Sequence, residues 1–153
     1  QAVLGPARAP DCGGPALHPT AGACALSARR ILIACNVNLA SQDLELAKRI
    51  ARQIRASNGG FPHVKALGLE LASRGLVQVS MNLTHFEATP LELVFAEVER
   101  LAEHSGVKVA ATEIIGFIPA RAAAAAPRFI ELCENFDPSK VLETRIAELR
   151  ALR

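Results

Sequence analysis

The chain has no tryptophan and no tyrosine, one methionine and six phenylalanines, so aromatics make up only 4% of its 153 residues. Nucleic-acid modules that stack bases on a sheet need aromatics on their central strands. The phenylalanines here (Phe61, Phe86, Phe95, Phe117, Phe129 and Phe136) fall outside the segments that read as central strands. An excess of one charge is missing as well: 17 Lys and Arg face 15 Asp and Glu, for a net charge of +2. Neutralising phosphates needs clustered cations, so no nucleic-acid partner is expected. No apolar run approaches the ~20 residues that span a bilayer, so no membrane partner is expected either. The four cysteines, Cys12, Cys24, Cys35 and Cys133, form no C-x-x-C pair. No H-x-x-x-H spacing occurs, so no metal is expected. Cys35 lies in an apolar run where a reduced thiol acts as a small hydrophobe; a cytoplasmic location is expected on that ground. Glycine-rich phosphate loops and nucleophile elbows are absent. No secretory signal follows Gln1, and a start without Met fits a trimmed chain or a piece of something longer.

What is present is half hydrophobic, and a chain of this length can bury roughly 70% of its unfolded surface in one domain. Residues 1–29 form a segment rich in Pro, Gly and Ala. Its prolines Pro6, Pro10, Pro15 and Pro19 forbid a continuous helix or central strand. Composition alone leaves it a linker or an ordered loop. Regular patterning begins at Arg30 and defines a second region, 30–153. RILIACNVNL alternates as a strand, and Ser41 is the expected N-cap of a helix with Leu44, Ala47, Ala51 and Ile54 on one face. That helix ends at Asn58-Gly59-Gly60. Val64–Leu71 and Leu76–Thr84 read as strands joined by an Arg74-Gly75 turn. Thr89-Pro90-Leu91-Glu92 spells a capping box for a second helix, with Val94, Val98, Leu101 and Ala102 as its stripe. Val107–Ile114 is the last strand. From Pro119 onward the chain reads as helical, broken at Pro127. Asp137-Pro138 opens a final helix whose stripe is Val141, Leu142, Ile146 and Leu149.

The order β-α-β-β-α-β is the ferredoxin-like α+β plan: a four-stranded sheet, helices on one face, and strands one and three at its centre. Those two strands direct Asn36, Asn38, Gln78, Ser80 and Asn82 away from the helices. Asparagine is depleted in strands, and amides offer donors and acceptors without charge. Such a patch, about 10 Å across at sheet spacings, suits a flat heterocycle. Asn36 and Asn82, pointing away from the helices, are not expected to support the main core; the alternative to a ligand site is a solvated open face. Glu113 ends the last strand beside Gly116, where a carboxylate could meet a ligand. His18, His63, His85 and His104 are scattered.

The strings ILIACNVNL, GLVQVSMNLTHFEATPL, ATEIIGFIP and FDPSKVLETRIAEL resemble the glutamate formimidoyltransferase family, and within it the carboxy-terminal subdomain. The resemblance runs from about Asp11 to the end. It implies transfer of a formimidoyl group from N-formimidoyl-L-glutamate to tetrahydrofolate in histidine degradation, with folate in a tunnel between two ferredoxin-like subdomains. It also implies a homodimer of the full enzyme and no metal. The family's folate-contacting connector resembles Asp11-Cys12-Gly13-Gly14-Pro15 and Leu17-His18-Pro19-Thr20-Ala21-Gly22, with Cys12 where an aromatic is usual. Cys12, Gly13, Gly14, Pro15, Ala16, Leu17, His18, Pro19, Thr20 and Ala21 are thus expected to bind folate, beside Asn36, Asn38, Gln78, Ser80, Asn82 and Glu113. The family's catalytic histidine belongs to the amino-terminal subdomain, and none of the four histidines here matches its motif. No catalytic residue is therefore expected in this chain, which is expected to be inactive alone. Two other readings remain open: a non-catalytic small-molecule binding module, and a dimerisation module.

Overall fold

The computed structural model describes residues 10–13 and 17–152. Four strands, β1 (Ile33–Leu39), β2 (Val64–Leu71), β3 (Leu76–Leu83) and β4 (Val109–Ile115), form one sheet in the order β2-β3-β1-β4. Every pairing is antiparallel. Helices α1 (Leu44–Ile54) and α2 (Leu91–His104) follow β1 and β3, which completes the ferredoxin-like α+β order. Helix α1 lies on β2 and β3, and α2 touches α1 and β1.

Alternation decides which residues meet the helices. Ile33, Cys35, Val37 and Leu39 of β1 and Val77, Val79, Met81 and Leu83 of β3 are all buried. Leu46, Ala47, Ile50, Ala51 and Ile54 of α1 pack on them with Leu91, Val94, Phe95, Val98 and Ala102 of α2. Each large aliphatic or aromatic side chain so buried stabilises by about 1.5–3 kcal/mol. Helix α1 approaches β2 so closely that a Cβ on Gly68 would lie 2.3 Å from the Lys48 nitrogen, so only glycine fits. Gly75 takes a left-handed φ of 63° and closes the β2–β3 connection after a 3₁₀ turn at Ala72–Arg74.

Both expected helix starts are built differently. Asp43, not Ser41, caps α1, accepting from Leu46 N at 3.1 Å, while Ser41 Oγ accepts from Asp43 N at 3.0 Å. The Thr89 capping box does not form. Buried Thr89 donates its hydroxyl to Pro62 O at 2.6 Å, and Glu92 Oε2 accepts from Phe129 N at 3.4 Å. In each case another backbone group takes the side chain from the helix end, a local one at Ser41 and a tertiary one at Thr89.

Past β4 come two short helices, α3 (Ala120–Ala124) and α4 (Pro127–Glu131), with Pro127 at the start of the second. Phe129 of α4 packs edge-on to Phe95 at 5.6 Å. The following segment seals the outer edge of β4. Thr112 N donates to Leu132 O at 2.9 Å and Glu134 N to Thr112 O at 3.1 Å. The Asn135 amide both accepts from Ile114 N and donates to Ile114 O, at 3.0 and 3.1 Å. Asp137 caps a 3₁₀ turn at Pro138–Lys140 before α5 (Leu142–Ala151). The expected stripe of α5 is not buried: Ile146 and Leu149 remain exposed, because this helix extends beyond the sandwich. Among the described residues no helix is long and apolar enough to cross a membrane.

Candidate functional site

The sheet face opposite the helices carries three rows in register. Leu69, Gln78, Asn38 and Ala111 form one row; Leu67, Ser80, Asn36 and Glu113 the next; Lys65, Asn82, Ala34 and Ile115 the third. The six expected sheet residues therefore converge on one surface, as strand alternation requires. They do not form a solvated patch. Asn36, Asn38 and Gln78 are buried, which corrects the expectation that Asn36 takes no structural part.

The reason is Glu113. Its Oε1 accepts from Asn38 Nδ2 at 2.7 Å and its Oε2 from Asn36 Nδ2 at 3.0 Å. Gln78 Nε2 donates to Asn38 Oδ1 at 2.8 Å and lies 3.5 Å from Glu113 Oε2. Arg74, from the turn between β2 and β3, places Nη1 3.5 Å from Glu113 Oε1 and donates to both carboxylate oxygens of Glu134 at 2.6 and 3.0 Å. This hydrogen bond from Arg74, reinforced by its charge, holds the Glu134 carboxyl below its usual range. Arg74 and Glu134 carry no motif, and the sequence reading missed both. Only a turn residue long enough to reach back over the sheet could have suggested the first.

A carboxylate only accepts hydrogen bonds, so the NH₂ groups of Asn36 and Asn38 must turn toward Glu113. That fixes the orientation of the amides. Asn36 Oδ1 is left facing outward as an acceptor, and Gln78 Oε1 likewise has no protein donor among the described residues. Ser80 and Asn82, both half-buried, also lack side-chain partners there. The face is thus a preoriented, acceptor-rich patch that favours a ligand edge bearing N–H groups. Around it stand the exposed apolar side chains of Leu67, Leu69 and Ile115.

The connector is placed differently. Gly14, Pro15 and Ala16 lie outside the described residues. Cys12 and Gly13 are exposed, and Gly13 has a left-handed φ of 89°. His18 and Gly22 exchange backbone hydrogen bonds at 3.2 and 3.0 Å, and His18 Nδ1 accepts from Ala21 N at 3.1 Å. Thr20 Oγ1 lies 3.3 Å from the same nitrogen. Leu17 is half-buried and Pro19 exposed. These hydrogen bonds are all local, and among the described residues no hydrogen bond joins the connector to the amide patch. Elsewhere, the His63 and His85 rings meet edge-on at 5.0 Å. Among the described residues no three His, Cys, Asp or Glu side chains are grouped to hold a metal ion.

Comparison with known proteins adds to this geometry. The family model of the formiminotransferase domain matches residues 34–148. A glutamate formimidoyltransferase of Streptococcus pyogenes serotype M1 is 40% identical over 139 residues, covering 90% of this chain and 46% of that protein. One from Thermoplasma acidophilum is 37% identical over 133 residues, covering 87% and 44%. A formimidoyltransferase-cyclodeaminase of Gallus gallus is 39% identical over 126 residues, covering 78% and 23%. The chain spans slightly less than half the length of the first two relatives.

Proposed function

The chain belongs to the formiminotransferase family, and we propose that it supplies the folate-binding, carboxy-terminal subdomain of a glutamate formimidoyltransferase. The reaction is transfer of the formimidoyl group from N-formimidoyl-L-glutamate to tetrahydrofolate, a cytoplasmic step of histidine degradation carried out by a homodimeric enzyme. The single observation that carries this reading is the acceptor patch of Asn36 and Gln78, held by Glu113 on the bare sheet face. A reduced pterin carries ring and exocyclic N–H groups, which such acceptors would bind. Ser80 and Asn82 extend the patch, and Leu67, Leu69 and Ile115 are the surface on which the amino-terminal subdomain would close. The connector from Cys12 to Ala21, where local hydrogen bonds join the described residues His18 to Gly22, would fold over the bound ligand.

Transfer forms a bond from a folate nitrogen to the formimidoyl carbon and breaks that carbon's bond to the glutamate nitrogen. The first nitrogen releases a proton and the second takes one up, a task for a general base and acid contributing roughly 10²–10⁴-fold. Glu113 is the one carboxylate among the described residues of the amide face. Its oxygens are engaged by Asn36, Asn38 and Gln78, which suits a positioning residue rather than a base. The family resemblance puts the base, a histidine, in the amino-terminal subdomain, and these 153 residues alone are expected to be inactive.

The test is release of L-glutamate from N-formimidoyl-L-glutamate by the full-length protein carrying this chain. Release that requires tetrahydrofolate supports the reading. No release, or release indifferent to tetrahydrofolate, overturns it.

A further inference from the structure

The cations of this chain are not distributed evenly with respect to their partners. Lys48, Arg49, Arg74, Arg100, Arg121, Arg128 and Arg145 each pair with a carboxylate. Among the described residues Arg29, Arg30, Arg52, Arg55, Lys65, Lys108, Lys140 and Arg150 do not, and two of these, Arg55 and Lys65, line one cleft of about 550 Å³ at the β2 edge of the sheet. Ser57, Leu67, Ser80 and Asn82 line it too, and no Asp or Glu does. Two unpaired cations facing a cleft without a counter-charge favour an anionic occupant.

The cleft is built rather than incidental. Arg55 Nε donates to Asn58 Oδ1 at 2.6 Å, which fixes the guanidinium and leaves its terminal nitrogens to bind a carboxylate as a fork. Lys65 stands opposite Asn82 in the strand register, and Leu67 opposite Ser80. The cleft therefore shares Ser80 and Asn82 with the acceptor patch and continues it toward β2, two strands or ~10 Å from Asn36. The outer edge of β4 is covered by the segment around Leu132–Asn135, whereas β2 has no strand beyond it.

We propose that this cleft is a carboxylate subsite, in which Arg55 and Lys65 hold the glutamyl carboxylates of a ligand whose other end lies on the amide patch. The inference rests on the formimidoyl-transfer reading, because that reaction brings glutamate with a substituted nitrogen to the site. Two sources share this chemistry: the glutamyl end of folate and N-formimidoyl-L-glutamate itself. Leu67, exposed between the cations and the amides, supplies apolar contact for the stem of either.

The experiment is calorimetric titration of the full-length protein carrying this chain with folic acid, pteroic acid (which lacks the glutamyl group) and N-formimidoyl-L-glutamate. Parent, Lys65→Gln, Arg55→Gln and the double variant are compared, each with its thermal unfolding. Lys65 is exposed with no side-chain partner among the described residues, so Lys65→Gln keeps the fold even if Arg55→Gln disturbs the Asn58 contact. A charge-assisted hydrogen bond lost at each cation predicts roughly tenfold weaker binding or more. If folic acid weakens and pteroic acid stays within about twofold, the cleft holds the folate tail. If N-formimidoyl-L-glutamate weakens instead, it holds the donor substrate. Equal binding of both glutamyl compounds by parent and variants, or an equal loss of pteroic acid, overturns the subsite alone. A parent that binds none of the three overturns the formimidoyl-transfer reading, and the subsite falls with it.

Discussion

Asn38 Nδ2 donates to Glu113 Oε1 at 2.7 Å, joining the central strand to its outer neighbour, with the asparagine wholly shielded from water. This bond runs diagonally, since Asn38 faces Ala111 in register and Asn36 faces Glu113. One carboxylate therefore orients two amides, and through Asn38 a third at Gln78.

Glu113→Ala should lower unfolding free energy by about 1–3 kcal/mol, because it strands buried donors on Asn36 and Asn38. Glu113→Gln should fall between parent and alanine, since its one carbonyl oxygen can still accept. Urea unfolding checks both. Alanine at parental stability would mean the network contributes nothing.

Asn36→Leu should likewise cost about 1–3 kcal/mol, leaving Glu113 Oε2 with only the 3.5 Å contact from Gln78, whereas Val79→Asn buries an amide in the core and should cost at least as much. Thermal unfolding of the pair checks this; an Asn36→Leu protein as stable as parent would contradict the network's role.

The pH dependence follows from Arg74 and Glu134. The folded carboxyl of Glu134 is held below its ordinary value of 4.5, so its pairing stabilises fully above that value. The contribution is lost as pH falls through the lower, folded value. Arg74→Gln should therefore shift the urea midpoint at pH 7 and shift it by less at an acid pH below 4.5. Equal shifts at both would contradict the pairing.

Thiol labelling tests the placement of the cysteines. Cys12 and Cys24 are exposed and should react at once, and half-buried Cys133 more slowly. Burial, with a smaller contribution from Cys133, pushes the Cys35 thiol far above its usual range. It should react only on unfolding; rapid labelling of Cys35 in the native protein would contradict the β1 register.

The strand order and the two faces of the sheet were legible because β1 and β3 alternate without interruption, and Arg74-Gly75 marked the turn correctly. The five amide and hydroxyl positions on one face followed from the same periodicity. The burial of Asn36, Asn38 and Gln78 did not, since it depends on Glu113 and Arg74, brought from distant parts of the chain. Local signals misled where a tertiary partner intervened: Thr89 spelled a cap but bonds to Pro62 O. The stripe of α5 was real as periodicity, yet nothing in the sandwich reaches it. Arg55 and Lys65 carried no signal at all, because only the fold brings them to one cleft that no carboxylate lines.

The central claim, that the amide face binds folate, is tested most directly at Asn82, which is half-buried with no side-chain hydrogen bond to protein among the described residues. Asn82→Leu in the full-length protein should leave the unfolding midpoint within the small range of surface substitutions, about 0.5 kcal/mol. Its tetrahydrofolate dissociation constant should rise roughly tenfold as one ligand hydrogen bond is lost. A variant that keeps both parental stability and parental tetrahydrofolate affinity would contradict the account.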